Sequence, residues 1–190
     1  MKPLLLLVLL LLPLACTDEA AAAREVALAE STAALEGGDP DGALVTAKRA
    51  LKAHGDEPRL LLNGARAALA LDRLGEAADL AGRGRALAAE DDAALRGDLA
   101  WVVGKARAGL FREVGDVRDW RQANLSLREA SRAGSQRDEA ALLFVLIQDL
   151  TDEGRQDRQL EVARELLGRA PDSDAARKAR TYLQGKGLDP

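Results

Sequence analysis

Small apolar residues recur at helical spacing along the first half of the chain, and the pattern returns after 34 positions. Ala43, Ala47 and Ala50 stand three and four apart, and Ala77, Ala81 and Gly84 occupy the same places one period later. The same shift carries Leu28 to Leu62, Ser31 to Ala65, Ala34 to Ala68 and Leu35 to Leu69. Apolar residues at i, i+3, i+4 and i+7 mark one face of an α-helix. No stretch alternates with the period of two that a half-buried strand needs. The pattern therefore predicts an all-α chain of helix–turn–helix units that follow one another without a gap.

Turn residues place the helices. Glu19–Leu35 is predicted to end at Gly37-Gly38, which supplies the left-handed backbone a sharp stop uses. Asp39-Pro40 opens the next helix, with proline in the first turn where its missing N–H costs nothing. That helix runs to His54 and stops at Gly55, ahead of Pro58. Arg59–Leu71 follows, with Leu61, Ala65 and Ala68 on one face, and then the helix that carries Ala77, Ala81 and Gly84.

The third unit is irregular. Ala94–Leu110 holds Trp101, Val102 and Val103, and Asp119–Arg132 repeats the second-helix spacing at Ala123, Leu127 and Ala130. The step from Ala77 to Ala123 is 46, so 12 residues are extra, and they are expected to lengthen this hairpin around Phe111–Asp116. Ala140–Leu150 is the most apolar helix beyond the leader, Gly154 breaks it, and Gln156–Arg169 follows up to Pro171. Asp174–Gln184 is polar and reads as the solvating cap that the end of a repeat array requires. Tyr182 and Leu183 would be its buried side.

The spacing resembles the tetratricopeptide repeat (TPR), whose units are antiparallel helix pairs with a period of about 34 residues. That family keeps small residues at three places per unit, held here by Ser31, Ala43 and Ala50, then by Ala65, Ala77 and Gly84. Its large positions hold Ala27, Ala34 and Ala47, then Leu61, Ala68 and Ala81. The small-residue frame is present and the aromatic knobs are absent. Ankyrin repeats are close in length, but their turn motif is missing. The resemblance implies antiparallel helix hairpins stacked into a short right-handed α-solenoid. Its units would be about 24–57, 58–91, 92–137 and 138–171, with a cap over 172–190.

The resemblance also implies that first helices line an inner groove. Its exposed positions would include Glu25, Leu28, Thr32 and Leu35, then Arg59, Leu62, Asn63, Arg66 and Leu69. The chaperone-binding subgroup clamps a C-terminal carboxylate there with lysine and asparagine. Leu28 and Thr32 occupy the first clamp positions in this chain and only Asn63 matches. That ligand is rejected, and a mixed apolar–basic groove for a helix or extended peptide is expected.

The first residues carry an address. Met1-Lys2-Pro3 is a short basic start, Leu4–Leu12 is unbroken hydrocarbon, and Pro13-Leu14-Ala15-Cys16 follows. The run falls short of the roughly 20 apolar residues a spanning helix needs. It has the three parts of a secretory signal, so 1–15 is predicted to be a signal peptide. Cys16 directly after it resembles the bacterial lipoprotein signal, in which the cysteine becomes the first mature residue and carries lipid. Pro13 stands where that family usually has an aliphatic residue, and Leu14 where alanine or serine is commoner. An ordinary signal with an unrelated cysteine is the alternative. Thr17, rather than aspartate, follows the cysteine, which in Gram-negative families implies the outer membrane. Segment 16–23 would be the attachment site and a short tether without a Gly/Ser/Pro linker, which would hold the array close to its membrane.

Composition narrows the function. The apolar share is 47% but aromatics are 3%, so many helices must share a core of small side chains. A net charge of −4 is spread over 27 basic and 31 acidic residues without a basic face, which argues against nucleic acid. One cysteine excludes an internal disulfide framework, and one histidine leaves little for a metal site or an imidazole base. No metal and no cofactor is expected.

His54 at a helix end favours the local carbonyls. Trp101 and Trp120 bracket the insertion and read as core fillers, with a binding groove as the other possibility. Asp91-Asp92, Asp138-Glu139 and Asp152-Glu153 read as helix-terminal or solvated acids, and Gly82-Arg83-Gly84 lies inside a helix without the context of a phosphate loop. No nucleophile–base or nucleotide signature is present.

The expected function is a non-enzymatic, lipid-anchored adaptor that binds a partner protein or peptide at the cell envelope. In this it resembles small repeat lipoproteins that assist secretins, outer-membrane assembly or surface machineries. A soluble periplasmic accessory subunit of an envelope enzyme or secretion complex is the alternative. An enzyme or metal protein on a helical scaffold is a weaker third.

Overall fold

The computed structural model describes residues 3–189, with side chains from Glu19 onward. Among these residues the elements are α1 (Pro3–Glu36), α2 (Pro40–His54), α3 (Pro58–Ala70), α4 (Leu74–Leu87), α5 (Ala93–Val114), α6 (Val117–Ala130), α7 (Arg137–Ile147), α8 (Gln156–Arg169) and α9 (Asp174–Gly185). A single 3₁₀ turn, Gln148–Leu150, extends α7. No strand occurs among the described residues.

Local chemistry sets the boundaries. The Asp39 carboxylate accepts from the Gly42 N–H at 2.9 Å, so Pro40 sits in the first turn of α2 as its missing donor allows. Glu57 and Asp92 cap α3 and α5 by accepting from Leu60 N and Leu95 N. Ser173 caps α9 through the Ala176 N–H. Between α3 and α4 the left-handed position is Asp72, φ 58°, one of the few side chains that tolerates it.

The twelve extra residues mostly extend a helix instead of looping out. α5 has 22 residues where α3 has 13, and it runs on through Phe111 to Val114. It stops because Gly115 is left-handed (φ 76°, ψ 14°), and Asp116 then caps α6 at once through the Arg118 N–H. The hairpin lengthens where expected.

The odd-numbered helices form one layer, with α1 packed on α3, α3 on α5, α5 on α7 and α7 on α9. Each even-numbered helix lies in the groove between its own partner and the next odd helix, as in α2 on α3 or α4 on α5. The even helices make no comparable contacts with one another among the described residues, so they form a splayed outer layer. Every small residue of the repeat frame is buried: Ser31, Ala43, Ala50, Ala65, Ala77 and Gly84. Leu61, Ala65 and Ala68 share the buried face of α3, as the pattern predicts.

Glycine marks the tightest approaches. A Cβ on Gly84 would lie 2.7 Å from Leu99 Cδ2, and one on Gly104 would lie 2.7 Å from Leu127 Cγ and 3.1 Å from Leu127 N. Two apolar clusters result, one over α2–α5 and one over α5–α9. Trp101 on α5 packs against both.

The last helix closes the second cluster with Ala175, Ala176, Ala179 and Leu183, and turns Arg177 and Lys178 to solvent. Tyr182 is half-buried, and its hydroxyl donates to the Asp149 carboxylate. Lys186 Nζ approaches the same carboxylate at 3.4 Å. The Tyr182 hydrogen bond, with Lys186 adding, holds Asp149 below the usual carboxylate range. Partial burial, then the Asp149 bond, pushes Tyr182 up to about 12.

Two outcomes are expected. Gly104→Ala gains roughly 1 kcal/mol of helix propensity but loses about 1–3 kcal/mol to overpacking against Leu127, so packing wins. Gly82, also within a helix, has nothing within 4 Å of an added Cβ, and Gly82→Ala should gain the propensity alone. Thermal unfolding should show Gly104→Ala melting a few degrees lower and Gly82→Ala a few degrees higher than wild type. The second outcome concerns pH. A depressed Asp149 stabilises the cap above about pH 4 and that stabilisation is lost as pH falls through its folded value. A raised Tyr182 stabilises below about pH 10, and this is lost on passing about 12. The protection of α9 amides against hydrogen exchange, relative to their intrinsic rate at each pH, should therefore fall at both extremes, and Tyr182→Phe should flatten that dependence.

Candidate functional site

The inner layer brings the sequence-predicted groove residues together, with a different division of labour. Glu25 and Arg59 are exposed, while Leu28, Thr32, Leu35, Arg66 and Leu69 are half-buried. Leu62 and Asn63 are not exposed groove positions: they are 5% and 6% accessible. Leu62 belongs to the first apolar cluster, against which Leu28 and Leu35 also pack. The Asn63 amide donates to Ser31 Oγ at 3.0 Å and to Thr32 Oγ1 at 2.9 Å. Both hydroxyls in turn donate to the Leu28 carbonyl. Asn63 thus ties α3 to α1.

Arg66 is likewise occupied. Its guanidinium meets Asp98 at 2.8 Å and Ser135 Oγ at 3.4 Å, and Asp98 also accepts from Ser135 N and Oγ. One carboxylate thereby joins α3, α5 and the α6–α7 turn. What remains open on this face is Glu25, Arg59 and a hollow of about 360 Å³ between α3, α5 and α7, where Leu69, Gly109 and Leu143 stand beside Lys105. Lys105 stands 5.4 Å from the centre of the half-buried Trp101 ring. Asp72 and Glu113 line the same hollow with Lys105 and Arg112, so this is an apolar surface of balanced charge and not the apolar–basic groove expected, displaced toward the third unit from the positions the repeat pattern picks out. In sequence Leu143 is only part of an apolar helix; its half-exposure depends on the tilt of α7, which no local pattern encodes.

The second surface escaped the sequence reading. On the outer layer, α6 and α8 part over the end of α7 and leave a hollow of about 360 Å³. Its floor is Trp120 and Phe144, both buried, and the Trp120 indole N–H donates to the Ile147 carbonyl at 2.8 Å. Gln148 donates to Asn124 Oδ1 beside them. Leu125 stands on the rim at 71% exposure. The signal was in the chain: Leu125 is a lone large apolar residue between Arg121, Gln122 and Arg128 at helical spacing.

Arginine–carboxylate pairs border this hollow. Arg121 binds Glu153 through two nitrogens, and that bond holds the Glu153 carboxyl below and the Arg121 guanidinium above their ordinary values. Arg128 pairs with Glu161, and Arg155 with Asp157.

The other singled-out groups have structural roles. His54 lies in the last turn of α2. Asp138 pairs with Arg169 at 2.8 Å, and Arg83, inside α4, pairs with Asp56. Trp120 is a core residue and Trp101 sits at the edge of both clusters. Among the described residues no three His, Cys, Asp or Glu side chains stand where they could hold a metal ion. Cys16, the lipidation candidate, lies outside the residues whose side chains are described.

Antiparallel helix pairs in two layers, closed by a polar terminal helix, define a TPR-like right-handed α-solenoid. The crystal structure of MamA protein, a helical repeat protein of that type, superposes on 88% of this chain and 85% of its own with a TM-score of 0.65 and 18% sequence identity. No protein-family model matches the chain, and no curated protein matches it in sequence.

The assignment of Asn63 can be checked directly. Asn63→Ala should lower stability by about 1 kcal/mol, the typical net worth of a lost hydrogen bond, and be seen in urea unfolding. Arg59→Glu, on an exposed side chain, should leave the urea midpoint unchanged.

Proposed function

We propose that this chain is a non-enzymatic adaptor, anchored by lipid on Cys16 at the cell envelope, that holds a partner protein or peptide. The observation that carries the scaffold reading is the TPR-like solenoid itself, an architecture whose stacked helices expose long continuous surfaces and are used for protein interaction. The inner hollow, apolar at Leu69, Leu74 and Leu143 with both signs of charge at its edge, suits an extended peptide or helix with apolar side chains.

The anchor rests on sequence: a basic start, the hydrocarbon run Leu4–Leu12 and Cys16 at the cut. Among the described residues no helix is long and apolar enough to cross a membrane, so retention would fall to the lipid. The outer membrane, periplasmic side, is the proposed address. Because α1 continues from Pro3 to Glu36, residues 17–23 give the domain little slack, and the array would sit close to the surface that holds it.

Fractionation of the native protein beside Cys16→Ser, with mass analysis of the mature N-terminus, tests this. Diacylglycerol and an acyl chain on Cys16, with loss of membrane pelleting in the variant, is the expected result. A chain cleaved elsewhere and soluble in both forms would overturn the anchor and leave a free periplasmic accessory subunit.

A further inference from the structure

We propose that the outer face of α6 is a second docking surface, and that its occupant is an acidic protein segment bearing a bulky apolar side chain. The inference rests on the reading of the chain as a protein-binding scaffold and adds a site on the opposite layer from the inner groove.

Three observations carry it. First, Leu125, 71% exposed, lines two adjoining hollows: the one over Trp120 and Phe144, and another of about 490 Å³ between α6 and the start of α5. A large apolar side chain at the shared rim of two concavities offers contact area to an incoming residue on either side. Second, the charge around them is opposite to that of the chain. Six arginines and three glutamates line the two hollows, in a protein of net charge −4. Third, the acids beside Leu125 are already used, and Glu90, at the far edge of the second hollow, is the one lining glutamate without an ion pair among the described residues. Glu129 serves Arg85 and Arg96, Glu153 serves Arg121, and Glu161 serves Arg128. Arg132 and Arg158 are left without a carboxylate partner among the described residues, and the buried Nε of Arg128 has no acceptor.

The apolar floor decides the class of occupant. A polyanion such as nucleic acid is held by a face of one sign, whereas here Glu153 stands in the rim and buried aromatic rings form the base. A peptide supplies both halves at once, an aromatic or leucine side chain over Trp120 and Phe144, and carboxylates to Arg132 and Arg158. Bidentate arginine–carboxylate geometry would fix its direction.

A random dodecapeptide display library panned on the full chain in mild detergent tests the surface. Enriched peptides are then titrated by fluorescence anisotropy against wild type, Leu125→Asp, Leu125→Ser, the pair Arg132→Glu with Arg158→Glu, and Arg59→Glu, with a melting curve for each. The expected result is enrichment of aspartate and glutamate around leucine or an aromatic residue. Affinity should fall about tenfold or more in the α6–α8 variants, fall again with added salt, and hold in Arg59→Glu. Enrichment without acidic residues, no enrichment, or binding indifferent to folded Leu125 and arginine variants would overturn the proposal. Peptides lost only with Arg59→Glu would overturn it too, while leaving the scaffold reading standing on the inner groove. Phosphatidylglycerol vesicles are run in parallel; vesicle binding lost in the same variants, with no peptide bound, would assign the face to lipid and overturn the proposal.

Discussion

The architecture depends on how closely its helix axes approach. With aromatics at 3%, the chain cannot fill wide gaps between helices, so it must narrow them. Alanine and glycine do this at the crossing points: Ala43, Ala65 and Ala77 have no accessible surface, and Gly84 meets Leu99 of the next unit where a methyl would collide. Small residues let ridges of one helix seat deep in the grooves of its neighbour. Each buries little area, and stability is therefore a sum over many short contacts shared among successive units.

Electrostatics follows the same path. Lys48–Glu76, Arg128–Glu161 and Arg169–Asp138 join one helix to another, and Arg83–Asp56 and Arg121–Glu153 join a helix to a connecting turn. Most are exposed, where an ion pair contributes about 0.2–1 kcal/mol. Their number still matters for orientation, because the arginine side chains reach between helices that the small residues bring close. The inner groove shows the cost of that economy in open surface: Asn63 and Arg66, polar residues at groove positions, are spent on Ser31, Thr32 and Asp98.

The frame of the fold was legible because it is local. Gly37-Gly38, Asp39-Pro40 and Gly55 carry their own backbone requirements, and the Ala43/Ala77 register is visible as a simple repeat. α8 lies at the predicted residues, Gln156–Arg169. The candidate site was less legible because exposure is a property of neighbours. Leu62 looks like Leu69 in sequence, yet it is buried in the first cluster while Leu69 edges a hollow. Asn63 gave no hint that its partners lay 31 and 32 residues back. The outer hollow needed the separation of α6 from α8, which no single helix reveals.

The long third-unit helix bears on how such a chain finds its own pairing. In an array of like units, a helix from one hairpin can dock in the berth of another, because every berth is shaped alike, and misassembly of this kind is a characteristic failure of repeat proteins. α5, with 22 residues against 13 in α3, is too long for the berth that α3 fills. It also carries Trp101, which touches the cores on both sides. Placing the odd member between them leaves two hairpins before it and one hairpin with the cap after it in which to slip. An irregular step in the count of residues thus serves as a key, and the symmetry it breaks is the symmetry that would have made the wrong assembly as good as the right one.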